Sequence, residues 1–284
     1  GLSFQPAEFA KLGVIMILAF QLSTKGVDIR TVRDFFQTGL YVAIPAGLIF
    51  LQPDHGTSSV FIVLFMGVLF WSGFSSFVLF QVVSVPFMII LGLKGMWYYI
   101  GGLIAFGGTT MFFRNGIVWK VIAIAVLAGV GYLSPVFYNN LMYHQKARIE
   151  TFLNPESDPR GSGYNVIQPI YAVGSGGIPG KGYLQGTQTQ FRYVPMQWTD
   201  FIFSVPTEEF GFMGGLVVIL LFAALIYRTI IIAGEVEDKF FSVTSIGAGI
   251  IFMYHVFINI GMVIGITPVM GLPLPFLKNR NLAW

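Results

Sequence analysis

The stretch TSSVFIVLFMGVLFWSG, Thr57–Gly73, contains no Asp, Glu, Lys or Arg. A helix needs roughly 20 predominantly apolar residues to cross a bilayer, and this stretch is close to that length. The pattern recurs at Ala7–Leu22, Asp34–Gln52, Phe77–Leu93, Met96–Phe113, Ile117–Leu141, Phe201–Arg228 and Phe240–Ile264. Hydrophobic residues make up 55% of the 284, charged residues 10%, and mean hydropathy is +0.74. Soluble domains carry roughly 25% charge. The expected fold is therefore all-α, a polytopic transmembrane helical bundle. A Pro-broken piece, TPVMGLPLPFL (Thr267–Leu277), and a polar end, KNRNLAW, close the chain.

A net charge of +3, with the basic residues scattered over separate loops, gives no reason to expect a nucleic-acid partner; the composition points to membrane lipids. No cysteine is present, which excludes disulfides and thiolate metal sites. Lys25, Arg30 and Arg33 mark one short loop as cytoplasmic, and Arg114 and Lys120 fall on the same side if every span is real. Parity then divides the chain into membrane helices over 1–142, an extracytoplasmic segment over 143–199, and membrane helices over 200–284.

That outer segment is long for a plain connection. It is rich in Gly, Pro and polar residues yet contains the apolar run VIQPIYAV, which suggests a folded or membrane-adsorbed lid. Its GSGGIPGKG stretch is not a phosphate loop. Ser175 stands where the first glycine is needed, and Gly182 where the Ser or Thr is needed. The remaining readings are a backbone able to approach a ligand or the membrane closely, and a simple flexible turn.

Several motifs follow in order: QPAEFAKL (Gln5–Leu12), QPDHGTS (Gln52–Ser58), RIETFLNPESDPRGSGYNVIQ (Arg148–Gln168), AVGSGGIPGKGYLQGTQTQ (Ala172–Gln190), TDFIFSVPTEEFGF (Thr199–Phe212) and NIGMVIGITPVMGLPLPF (Asn259–Phe276). Together they cover nearly the whole chain, and the set resembles the SEDS family (shape, elongation, division and sporulation). These are multi-spanning peptidoglycan glycosyltransferases. PESDP and GTQTQ are closer to the elongation members than to the division members. The resemblance implies polymerisation of lipid II into glycan strands at the outer face of the bacterial cytoplasmic membrane. It also implies a class B penicillin-binding transpeptidase as partner. Members have further spans before QPAEFAK, and they continue PLPF into a Ser-Tyr-Gly-Gly-Ser segment and a last helix. The expectation is that such segments, the final span included, are missing from this chain. Trp198 stands where many members have a histidine, so no role of that histidine carries over.

The resemblance makes Asp200 the essential catalytic residue. A carboxylate there could act as general base on the acceptor hydroxyl that attacks an anomeric carbon. The alternative is a helix N-cap, and the two roles can coexist. Glu208 and Glu209 would lie roughly 12–14 Å further on if the helix were unbroken. Both are expected to be structural, with Glu209 either lining the substrate cavity or pairing with Lys11 or Arg114. Glu8 and Lys11, at i and i+3, form an ion pair, face a central cavity, or both. Asp54 is expected to cap a turn or helix. Arg148, Lys181 and Arg192 are the candidate cations for pyrophosphate, with anionic headgroups the competing partner. No metal-ligand cluster or certain cofactor is visible, although a divalent cation (Mg or Mn) could bridge Asp200 and pyrophosphate. Two rival functions stay open: a lipid II flippase, and a non-catalytic scaffold for the transpeptidase.

Overall fold

The computed structural model describes residues 6–140, 146, 150–152, 154–159, 161 and 163–277. Helices α1 (Pro6–Ser23), α2 (Val32–Leu51), α3 (His55–Trp71), α4 (Ser76–Lys94), α5 (Met96–Phe112) and α6 (Ile117–Asn139) come first. They are followed by α7 (Tyr164–Gly176), α8 (Thr187–Gln190), α9 (Ser204–Glu209), α10 (Gly211–Glu235) and α11 (Lys239–Val263). There is no strand among the described residues. Among the described residues six helices, α1, α2, α4, α6, α10 and α11, are long and apolar enough to cross a membrane. The protein is an all-helical, multi-pass membrane protein, as its composition demands. Asp54 caps α3, accepting from the Thr57 N–H at 2.9 Å.

The chain folds as two compact units. One, Gly73–Ala147, holds α4, α5 and α6; α4 and α5 are separated by Gly95 alone. Within this unit the Tyr99 hydroxyl donates to the Ala128 carbonyl at 3.1 Å, fastening α5 to α6. Gln81 donates to Thr110 at 2.9 Å across α4 and α5.

The other unit, Gly1–Ser72 with Arg148–Trp284, contains the described residues of the candidate site. Its centre is α11, which packs on α1, α3 and α10. Glycines make this possible: Gly247 lies against Ile15 and Leu64, Gly249 against Thr229, and Gly67 of α3 against Ile250. Membrane helices associate chiefly by such close backbone approach, since lipid offers no hydrophobic drive between them. By contrast only 11% of the α10 window is buried, against 61% for α11. The outward Val217, Leu220 and Leu221 of α10 suit a lipid-facing helix.

The expected span Phe201–Arg228 is corrected by the structure. Residues 201–203 form turns, α9 ends at Glu209, and a new helix starts at Gly211. Gly211 has φ +65°, and a Cβ there would strike the Ile178 carbonyl and the Gly180 N–H. A positive φ in so tight a place admits glycine alone, so the break is built into the sequence. The lid expectation acquires a definite element, α7, whose buried Val166, Pro169, Ala172 and Gly176 fall on one face and pack against α9.

Candidate functional site

Glu8 and Lys11 of α1 line a cavity of about 480 Å³ together with His255, Pro273 and a surround of Leu, Ile and Phe side chains. The Lys11 ammonium lies 2.8 Å from the Glu8 carboxylate. The lysine side chain is 5% exposed and the glutamate 50%, so the pair is half sunk in protein and half turned to open space. The ion pair is intrahelical, and both its members line this cavity. Lys11 also reaches His255 Nε2 at 3.3 Å, while His255 Nδ1 lies 2.9 Å from the Pro273 carbonyl. A carbonyl can only accept, so Nδ1 carries the proton and Nε2 receives one from the ammonium.

Asp200 is partly buried in the turn that precedes α9. The N-cap of α9 is Phe203, not Asp200. The plain capping alternative therefore fails for this helix. Asp200 is held through its main chain: its N–H donates to the Met196 carbonyl at 3.1 Å, and its carbonyl accepts from Asn259 Nδ2 at 2.8 Å. The same Nδ2 donates to the Leu272 carbonyl at 2.9 Å. A Cβ on Gly271 would sit 3.8 Å from Asp200 Oδ2, so the carboxylate lies over that glycine. Asp200 itself does not line the cavity. Pro273, two residues beyond Gly271, does.

Glu208 is fully buried. Its Oε1 accepts from Lys181 Nζ at 2.6 Å and from the Gln188 N–H at 2.8 Å; its Oε2 accepts from the Thr189 N–H at 2.8 Å. Burial alone would raise this carboxyl. The Lys181 ammonium and the Gln188 and Thr189 donors outweigh it and hold the group below the ordinary carboxylate range. Glu209, buried beside it, accepts from Gln190 Nε2 at 3.1 Å. This bond ties Glu209 to helix α8. The structural expectation for both glutamates agrees with these contacts.

Lys181 is placed differently from its expected role. Its three N–H donors go to Glu208 at 2.6 Å, Ser175 at 2.7 Å and Thr187 at 2.7 Å. The glycine-rich loop around it approaches its own chain closely. The Lys181 and Gly182 N–H groups donate to the Glu208 and Glu209 carbonyls at 3.1 and 2.9 Å, and Gly180 packs on the Glu209 carbonyl. Arg192, two residues after α8, is exposed with φ +57°. Arg148 lies outside the described residues. Sequence reasoning overlooked His255 and weighed Asn259 only as part of a motif. An ionisable residue inside an apolar span was the available signal for the first. Among the described residues no group of three or more His, Asp or Glu gathers to hold a metal.

A family model described as cell cycle protein, spanning FtsW, RodA and SpoVE, matches residues 1–101 and 100–279. The chain is 33% identical to the peptidoglycan glycosyltransferase RodA of Treponema pallidum, covering 96% of this chain and 70% of that protein. It is 34% identical to the peptidoglycan glycosyltransferase MrdB of Escherichia coli K12, covering 97% of this chain and 62% of that protein. A solved structure concerning the coordination of polymerization and crosslinking by a peptidoglycan synthase complex superposes with a TM-score of 0.63 at 27% identity. That match covers 98% of this chain and 64% of the other. The chain thus spans between 62% and 70% of the length of these proteins.

Proposed function

Because the chain belongs to the FtsW/RodA/SpoVE family of cell cycle proteins, we propose that it is a peptidoglycan glycosyltransferase that polymerises lipid II for cell-wall elongation. The observation that carries the mechanism is the placement of Asp200. Its carboxylate lies over Gly271, and its main chain is tied to α11 by Asn259. In this reading the acceptor sugar hydroxyl loses its proton to Asp200 while its oxygen bonds to the anomeric carbon of the growing strand. The bond from that carbon to the undecaprenyl pyrophosphate breaks, and the lipid pyrophosphate leaves with the electron pair. That leaving group is good without protonation, so one base suffices. Positioning supplies much of the remaining rate.

Lys11, with Glu8 beside it, is the proposed contact for anionic substrate in the cavity. Arg192, exposed in the segment before Asp200, is a further described candidate for pyrophosphate. The site faces outward across the cytoplasmic membrane. The relation to a structure concerned with both polymerization and crosslinking supports a crosslinking partner, for which we propose a class B penicillin-binding transpeptidase.

The test is glycan polymerisation from lipid II by the purified chain, alone and with its transpeptidase, beside Asp200→Ala. Loss of a general base removes roughly 100- to 10,000-fold. Equal polymer from both proteins would take Asp200 out of the mechanism. If neither makes polymer while the chain moves lipid II across vesicles, a flippase is the correct reading. Polymer made only by an added enzyme that this chain recruits would mark it as a scaffold.

A further inference from the structure

Helix α11 carries two buried polar side chains one turn apart, His255 and Asn259. Both reach the irregular segment after the helix, at Pro273 and Leu272 respectively. Asn259 additionally reaches the main chain of Asp200. Both of its acceptors are carbonyl oxygens, so the amide nitrogen must be the atom that faces them and both its hydrogens are committed. Its Oδ1 is buried and has no hydrogen-bond partner among the described residues. An unsatisfied buried acceptor is unfavourable, and an apolar side chain of similar size would avoid it. An amide here therefore needs a reason, and its two bonds supply one. They join the Asp200 backbone to residue 272, the neighbour of the glycine on which the Asp200 carboxylate rests.

We propose that Asn259 is a positioning residue of the site, setting the Asp200 carboxylate against the acceptor sugar by pinning Asp200 and Leu272 to α11. It touches no reacting atom and acts only through these two carbonyls. The inference rests on Asp200 being the base. The segment has other attachments, which keep it folded when the amide is lost. The Ile266 N–H donates to the Gly261 carbonyl at 2.8 Å, the Met270 N–H to Met262 Sδ at 3.1 Å, and His255 holds Pro273. Removing Asn259 therefore frees one junction, between the Asp200 turn and residue 272. A displacement of about 1 Å in a catalytic group is enough to lower turnover on the order of 100-fold.

The experiment uses the full chain in lipid nanodiscs, as wild type, Asn259→Leu and Asn259→Ser. Serine is too short to span both carbonyls but keeps a polar group, and it carries the test if the leucine variant does not fold. Two quantities are measured: amide hydrogen exchange over 196–203 and 266–277, and steady-state kinetics with lipid II per folded molecule. The expected result is faster exchange in those two segments alone. The expected kinetics are a kcat about 100-fold lower, a KM within about twofold, and an acid limb of the kcat profile that stays in place. Unchanged exchange would overturn the pin. Faster exchange with unchanged kcat would reduce Asn259 to a fold element, and a displaced acid limb would mean that it acts on charge rather than position; either overturns the proposal. If the wild type makes no polymer, the function proposed above falls while the exchange comparison still decides whether the pin exists.

Discussion

Two lysine–glutamate pairs, 2.8 and 2.6 Å long, are built in opposite senses. In Glu8–Lys11 the lysine is sunk and the glutamate is half exposed beside a cavity. In Lys181–Glu208 the glutamate is fully buried, and the lysine reaches it from a partly exposed loop. The first pair leaves its carboxylate half exposed beside the cavity, with the ammonium beneath it. The second is closed, with main-chain donors on both glutamate oxygens and the lysine shared among three acceptors. A charged residue's role follows from how much of its hydrogen-bonding capacity is already engaged, and sequence does not disclose that. Asp200, eight positions before Glu208, is secured by its backbone instead, which fixes its place by another route.

The comparison is broken most directly by removing one member of each pair. Lys181→Met leaves a fully buried carboxylate without its cation, and an expected loss of about 3–5 kcal/mol should appear in detergent thermal or denaturant unfolding. If Lys181→Met proves no more destabilising than Lys11→Met, the closed pair has been misread. A second variant probes the wall of the closed pair. In Gly176→Ala the new methyl meets the Thr207 carbonyl and the Glu208 Cα, and overpacking of this kind should cost about 1–3 kcal/mol in the same assay.

Lys11→Met should cost less than Lys181→Met, about 1–3 kcal/mol, because Glu8 can turn to solvent and only the bond to buried His255 is lost. Its polymerisation rate should nonetheless fall at least about tenfold, so the two readouts separate. A rate equal to wild type would deprive the open pair of its proposed role. The smallest signal is a pH slope. Glu208 has a carboxyl held below its ordinary value, so its stabilising effect is complete above that value, near 4.5, and is lost as pH falls through the lower native one. Wild type should therefore lose stability in that acid window relative to Glu208→Gln. Parallel pH curves for the two proteins would contradict the assignment.

Much of the fold was legible because apolar windows announce membrane helices whatever their partners. Phe240–Ile264 emerges almost as read, as α11, whereas Thr57–Gly73 becomes α3, an apolar helix shorter than those long enough to cross a membrane. The break at Gly211 was not legible, since SVPTEEFGF carries ordinary helix-start signals. What ends α9 is a loop from residues 177–180, folded back from a distant part of the chain. The engagement of Lys181 was hidden for a related reason: its charge was visible, but its partner lies 27 residues away. Asp200 was found by resemblance to a family rather than by local pattern. His255 could have been found by counting ionisable groups inside spans. The double bond of Asn259 to Asp200 and Leu272 could not, because an isolated asparagine in a helix says nothing about which carbonyls it will meet.

The chain of contacts from Glu8 through Lys11 to His255 has one further consequence. It contains a carboxylate and an ammonium 2.8 Å apart, with an imidazole nitrogen facing the ammonium. The two opposite charges cancel at any distance much larger than their separation. Such a pair exerts little long-range pull on ions in solution, so encounter with it is set by contact and by diffusion within the bilayer. Raising ionic strength shortens the Debye length from about 10 Å at 0.1 M to about 3 Å at 1 M, yet it should leave capture at this wall almost unchanged.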